Sequence, residues 1–397
     1  MKWTPTFAAA NKGATLHVMS LKSLLRLASL MIGALLMGSA TAQHDGHAHS
    51  VGDSTTIGLV TATADGHEEA AHGKFNPGEM IMGHVTDEHG WHLWGHTSIP
   101  LPVILYNNQR GLSVFSSGNF HHGDEVHGGY MLQGKKIVAT DAADGSPAHA
   151  AQANEELTKA TIDLSITKNV MAIFVSAALM LLIFLSVAKA YARRPGQAPR
   201  GLQNLIEPII LFVRDDVAKA NIGPKYERFM PYLLTVFFFI LINNLMGLIP
   251  IIPFGANVTG SISVTFALAM ITFIITLLNG NRHYWGHILA MPGVPKPVLL
   301  ILTPVEILGV FLRPAILMIR LFANITAGHI IVLSFFALIF IFGEINSGLG
   351  WGVSIFSLLF TVFMSMLELL VAFIQAFVFT FLSAMYFGAA IEEPHHH

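Results

Sequence analysis

Residues 311–330, FLRPAILMIRLFANITAGHI, decide how this chain must be read. The stretch is apolar enough to sit in a bilayer, yet it carries Arg313, Arg320, Asn324 and His329. An arginine at the centre of a membrane helix costs at least ~2.5–3.5 kcal/mol on insertion scales. A chain that keeps one there needs a partner or a polar pathway for it. Arg320 is therefore a candidate functional residue, and the surrounding sequence must supply what it faces.

Composition agrees with a membrane setting. The chain has 397 residues, 53% hydrophobic and only 12% charged, whereas soluble domains run at about 25% charged. It has no cysteine, which excludes disulfides, thiolate metal sites and cysteine nucleophiles.

The opening stretch lies in the first of two very long apolar runs, residues 298–342 and 351–391. As helices they would measure about 67 and 61 Å at 1.5 Å per residue, against a hydrocarbon core of about 30 Å. They must tilt, kink or run partly along the membrane. The segment GEINSGLG at 343–350 turns one back on the other. Glu306, Arg313 and Arg320 are seven apart and share one helical face, which Asn324 continues. Ser365, Glu368, Gln375, Ser383 and Tyr386 make a similar stripe on the second helix. Residues that face each other in an antiparallel hairpin keep a constant sum of residue numbers. Arg320 with Gln375, Arg313 with Ser383, and His329 with Glu368 give 695, 696 and 697. One register therefore sets His329 near Glu368 and Arg320 near Gln375.

Upstream, spans are expected at residues 168–189, 231–249 and 262–279. Residues 201–218 are amphipathic and too charged to span, so they lie along a membrane surface. Lys189, Arg193, Arg194 and Arg200 follow the first span and mark its cytoplasmic end. Asn243 and Asn244 are polar interruptions of the second; Asn244 reads equally as interhelical glue or as part of a pathway. The fold class is thus an all-α polytopic membrane protein. It has five spanning helices and one interfacial helix, the last two spans forming a long tilted hairpin, with the carboxyl end in the cytoplasm.

Before the first span the chain is different. Residues 1–42 end in a short basic lead, an apolar core and a small-x-small site at 40–42, the pattern of a signal peptide. Residues 43–160 read as a small exported domain, partly β, with flexible ends at 43–71 and 141–154. Its strand runs are 99–106, 112–116 and 130–139. Residues 161–397 form the membrane domain. Thirteen of the 20 histidines fall between His44 and His149. Spacings such as His89, His92 and His96 define no metal site, and solvated histidines are the plainer reading. Gly129 to Gly134-Lys135 imitates a phosphate-binding loop, but Lys136 stands where a magnesium-binding hydroxyl belongs. It is rejected.

A glutamate and a histidine in contact inside a membrane pass protons, since both titrate near neutrality when their surroundings shift them. Arginine does not release its proton. It is a fixed cation that favours an ionised carboxylate and blocks protons from crossing directly. A relay interrupted in this way needs a moving acid, and none is evident in the chain, so a partner carries it. Arg313 has two readings, snorkelling or pairing with Glu306, and Gln375 reads as an interhelical hydrogen bond or as an orienter of Arg320.

From Arg320-Leu-Phe-Ala-Asn324 to Gly328-His329, the sequence strongly resembles subunit a of F-type ATP synthases. The likeness extends through residues 232–250 (ending INNLMGLIP), ANVT at 256–259, Pro304-x-Glu306, and AFIQAFVF at 372–379, and covers roughly residues 163–393. The resemblance implies a proton-conducting stator subunit, not itself catalytic, in the bacterial inner membrane. Arg320 would face the carboxylates of the rotor c-ring, and Asn324, Glu306, His329, Glu368 and Gln375 would line two half-channels or support the arginine. Arg313, Asn244 and Ser383 are secondary candidates. Implied partners are the c-ring, the subunit b peripheral stalk, the remainder of the complex, lipids and protons, with no cofactor and no nucleic acid. Several bacterial relatives carry the His329 and Glu368 pair exchanged. The exported domain looks like the extension found in some bacterial versions. The rivals are a secondary ion transporter, which would show inverted repeats, and a metal-binding exported domain on a membrane anchor.

Overall fold

A computed structural model describes residues 76–94, 97–193, 195, 197–249, 255–289, 291 and 294–393. The expected signal peptide and the expected flexible segment 43–71 lie outside the described residues, as does His96.

Helix α1 (Pro77–Val85) leads into a hairpin of β1 (Gly90–Trp94) and β2 (Thr97–Pro100). Strands β3 (Pro102–Asn107) and β4 (Gly111–Ser116) follow, then a hairpin of β5 (Tyr130–Gln133) and β6 (Lys136–Ala139). Helix α2 (Glu155–Lys159) precedes β7 (Thr161–Asp163), and the central sheet has the order β4-β3-β7, all antiparallel. Two of the expected strand runs are broken. Residues 99–106 change partners at Leu101, between Pro100 and Pro102, because neither proline offers an N–H to a ladder. Residues 130–139 fold back at Gly134, whose φ of 63° suits a tight turn. The neighbouring Lys135 pairs with Glu88 at 2.7 Å and donates to the Met82 carbonyl at 2.8 Å, closing the end of α1. The imitation phosphate loop is a structural clasp.

The expected flexible segment 141–154 is pinned instead. Arg110 donates to the carbonyls of Gly129 and Thr140 and pairs with Asp141 at 3.0 Å; Asn154 donates to Asp141 at 2.8 Å and caps α2. The boundary expected at residue 160 falls inside the central sheet, since β7 pairs with β3 beyond it. Val103, Leu105, Phe120, Tyr130, Ala139 and Leu157 form the domain core.

The sheet passes straight into helix α3 (Lys168–Arg193). Helix α4 (Leu202–Phe212) is amphipathic and runs on into a π-helical turn, Val213–Lys219. There Arg214 and Lys219 both bond Asp215, and the hydrogen bond from Arg214 holds that carboxyl down at about 2. Then come α5 (Met230–Leu248), α6 (Ile262–Asn279), a short α7 (Arg282–Leu289), α8 (Lys296–Ile345) and α9 (Ser347–Ile391). Among the described residues, five helices are long and apolar enough to cross a membrane: α3, α5, α6, α8 and α9. With 50 and 45 residues, α8 and α9 measure about 75 and 68 Å, so they cannot stand upright in a bilayer. Asn346 caps α9 and makes the hairpin turn, and Phe335 meets Phe360 across it at 4.2 Å. Helix α5 packs on α9, and α6 on α8. The apolar segment of α5 is 72% buried, but that of α8 only 11%. Much of α8 is therefore only partly covered.

The N-terminal domain is locked to this bundle. Asp87 accepts from the Asn169 N–H at 3.0 Å, capping α3 from far upstream, and the Lys168 N–H donates to the Glu88 carbonyl at 2.9 Å. Trp91 packs into the membrane core cluster, and α1 rests on α8. Between β1 and β7, buried His89 meets Asp163 at 3.2 Å. Burial acts to raise the Asp163 carboxyl, but hydrogen bonds from His89 and Ser165 outweigh it and the net shift is downward. The sign follows from linkage: this group stabilises the fold above the ordinary carboxylate range, and the contribution is lost as pH falls through the lowered value. Replacing His89 by alanine should cost about 1–3 kcal/mol near neutrality, with the loss shrinking in acid. Hydrogen exchange of β7 across pH measures it; a cost that stays constant into acid would rule the linkage out.

Candidate functional site

Arg320 stands midway along α8 and is exposed. Helical periodicity places Ile316, Ile319, Ala323, Asn324 and Ala327 on the same stripe, and all of them are exposed too. Among the described residues no hydrogen bond or ion pair holds the Arg320 guanidinium; its charge acts on Tyr386 of α9. The stripe is apolar except for Arg320 and Asn324, and the two alanines leave room for another helix to approach closely. An uncompensated cation on an apolar, uncovered face is costly in lipid.

Toward the hairpin turn, about 13 Å further along α8, His329 Nδ1 lies 3.4 Å from Glu368 Oε1 of α9. The contact is an ion-pair approach without hydrogen-bond geometry, and Glu368 Oε1 is buried without a hydrogen bond. Two glycines make space for it. A Cβ on Gly328 would sit 3.1 Å from Glu368 Oε1, and one on Gly247 of α5 would sit 3.5 Å from His329 Nε2. Beside the pair, Asn244 donates to the Ala372 carbonyl at 3.2 Å and accepts from Thr259 at 2.5 Å. Thr326 donates to the Gly260 carbonyl at 3.3 Å, and the side chain of Asn257 is buried with neither polar atom bonded. These groups make a cluster of polar side chains around the hairpin.

On the other side of Arg320 lies a pocket. Arg313 Nη1 is 3.4 Å from the Tyr284 hydroxyl of α7, and its guanidinium lies 5.7 Å from the centre of the Tyr386 ring. These residues, with Thr272 and Thr276 of α6, line a cavity of about 10 Å³, room for about one water. Arg313 and His329 are 16 residues apart, or about 24 Å along the helix. A polar cluster on one side of Arg320 and a small cavity on the other thus flank it.

The hairpin brings His329 and Glu368 together, as the spacing implied. Gln375 is buried, but no hydrogen bond joins it to Arg320. Glu306 is half-buried on α8 and makes no ion pair with Arg313; seven residues separate them by about 10.5 Å. Ser383 is fully buried and donates to the Phe379 carbonyl of its own helix at 2.8 Å. Asn324 is exposed beside Arg320. Asn257 and Thr259 fall in the ANVT stretch of the resemblance without a role attached, while Thr326, Tyr284, Thr272 and Thr276 escape sequence reasoning, since hydroxyls in these helices carry no periodic signal. Among the described residues there is no group of three or more side chains fit to hold a metal ion.

Residues 170–388 match the family model described as ATP synthase A chain, and residues 80–164 match a domain of unknown function, DUF8433. ATP synthase subunit a of Chlorobium phaeobacteroides is 34% identical over 389 residues, 94% of each chain. ATP synthase subunit a 2 of Chlorobaculum tepidum is 38% identical over 355 residues, 86% of this chain and 83% of that one. ATP synthase subunit a of Chloroherpeton thalassium is 44% identical over 238 residues, covering 59% of this chain and 69% of its own.

Proposed function

Because the chain belongs to the ATP synthase A chain family and is subunit a of an F-type ATP synthase, we infer that it is the proton-conducting stator against which the rotor c-ring turns. The observation that carries this reading is the exposed Arg320 stripe of α8, with the His329 and Glu368 cluster on one side of it and the Arg313 cavity on the other. A ring helix bearing a carboxylate docks on Ala323 and Ala327, and its carboxylate ionises beside Arg320. Glu368 and His329 hand protons to or from that carboxylate on one side, within a half-channel that Asn244 and Thr259 help to line. The Arg313, Tyr284 and Tyr386 pocket does the same on the other. Arg320 never releases its proton, so it keeps the two half-channels from short-circuiting. Asn324 and Gln375 border this path, and Glu306 and Ser383 lie further along it.

The chain makes no ATP itself; proton flow along it turns the ring. The basic flank after α3 supports a bacterial inner-membrane orientation with residues 43–167 outside, after removal of a signal peptide at 1–42, and the carboxyl end in the cytoplasm. The subunit b stalk would hold it against rotation. The test uses the cysteine-free chain. Ala323→Cys should form oxidative crosslinks with a cysteine set beside the ring carboxylate, in a complex where a ring of small hairpin subunits copurifies. A ring that copurifies yet crosslinks only from faces of α8 away from Ala323 would refute the docking.

A further inference from the structure

The central sheet of the N-terminal domain is apolar on its outward face as well as on its core side. Pairing of β3 with β4 and β7 sets its outward side chains in rows: Leu112–Tyr106–Ile162, then Val114–Ile104–Leu164. Five of these six are strongly exposed, Leu112 at 64%, Val114 at 62%, Leu164 at 53%, Ile162 at 51% and Tyr106 at 43%. A third row, Ser116–Pro102–Ile166, continues them, and no Asp, Glu, Lys, Arg or His occurs in the three rows. The inward face of the same strands carries Val103 and Leu105 but also Asn107, Asp163 and Ser165. An antiparallel sheet with one face in water is ordinarily polar on that face. The outward face is thus built to be covered.

The path of the chain says by what. Beyond β7 the strand keeps its pairing, with the Leu164 N–H on the Ile104 carbonyl at 2.8 Å and the Ile166 N–H on the Pro102 carbonyl at 3.0 Å. Two residues later α3 begins. There is no free linker between sheet and span, and Asp87 fixes the same junction from the domain side. At 26 residues, α3 is about 39 Å long and exceeds the ~30 Å hydrocarbon core. Its first turn therefore reaches headgroup level, and the third row starts there. Rows follow at about 6.7 Å intervals, which puts the outermost about 13 Å along the strands from the first turn of α3; a sheet leaning toward the bilayer brings all three rows to the 5–10 Å depth at which interfacial elements bury apolar faces. Tyr106, with an apolar ring and a polar tip, is the residue type that anchors at this level.

We propose that the β4-β3-β7 sheet is a lipid-docking surface that rests on the bilayer headgroups beside α3, making the N-terminal domain a peripheral membrane element in its own right. The proposal stands apart from the ion path. The absence of native cysteines allows a single fluorophore at Val114→Cys, on the face, and another at Lys136→Cys, exposed on β6, in the whole complex and in the full chain alone, both in phospholipid nanodiscs. Lipid-borne nitroxide should quench the label at 114, with aqueous iodide ineffective, in both preparations; the reverse should hold at 136. Leu112→Cys repeats the measurement, so that one poorly folding variant does not decide it. Iodide quenching at 112 and 114 equal to that at 136 would overturn the proposal. So would shielding seen in the complex and lost in the chain alone, which would make the face a subunit interface.

Discussion

Arg320→Ala should abolish ATP-driven proton pumping in inverted vesicles while leaving the five-helix bundle in place. The side chain makes no hydrogen bond or ion pair among the described residues, so its removal breaks no internal contact of that kind. It relieves the bundle of an exposed intramembrane cation. What is lost is the partner of a desolvated carboxylate, about 3–5 kcal/mol in typical buried pairs, or about a hundredfold to a thousandfold and more. Arg320→Lys should also fail, because an ammonium deprotonates readily when desolvated and so no longer blocks transfer. Fluorescence quenching on ATP addition measures this. Coupled pumping retained by the alanine variant would sink the proposed mechanism.

The second large effect concerns His329 and Glu368. Each single variant, His329→Ala or Glu368→Ala, should cut passive proton conductance about 10- to 100-fold, equivalent to about 1.4–2.8 kcal/mol. The exchanged double variant, His329→Glu with Glu368→His, should recover most of it. The 3.4 Å contact spans the hairpin, and the space left by Gly328 and Gly247 does not depend on which helix carries the acid. Conductance through the membrane sector after removal of the catalytic head reads this directly. If the exchanged variant loses as much as the two single losses combined, the residues act independently and the relay is wrong.

The five spans were legible because an apolar run of bilayer length has few other meanings, and their ends fell within a few residues of the observed ones. The antiparallel register was legible too, since two rigid helices joined by a tight turn leave little freedom in what faces what. Periodicity does not say whether a shared face is covered. Arg320 reads as intramembrane from its neighbours, but its exposure depends on α5 and α6 packing elsewhere. Arg313 illustrates the same limit: its contacts come from Tyr284, on a short helix without an apolar signal, and from Tyr386 on the far helix. In the N-terminal domain, β7 is only three residues long and β1 is rich in aromatic and polar residues. The contact of His89 with Asp163 joins residues 74 apart, beyond the reach of any local pattern.

The place of β7 in the chain governs the timing of biosynthesis. The central sheet is closed by the strand made last, immediately before α3, and the cap on α3 is supplied by Asp87, made some eighty residues earlier. The sheet is therefore complete as soon as β7 has been made, and the cap for α3 is already waiting when that helix begins. On the exported topology proposed above, the central sheet lacks its last strand until nearly the whole domain has been threaded through the membrane. It closes as α3 arrives to halt the chain, so the end of translocation and the completion of the sheet coincide.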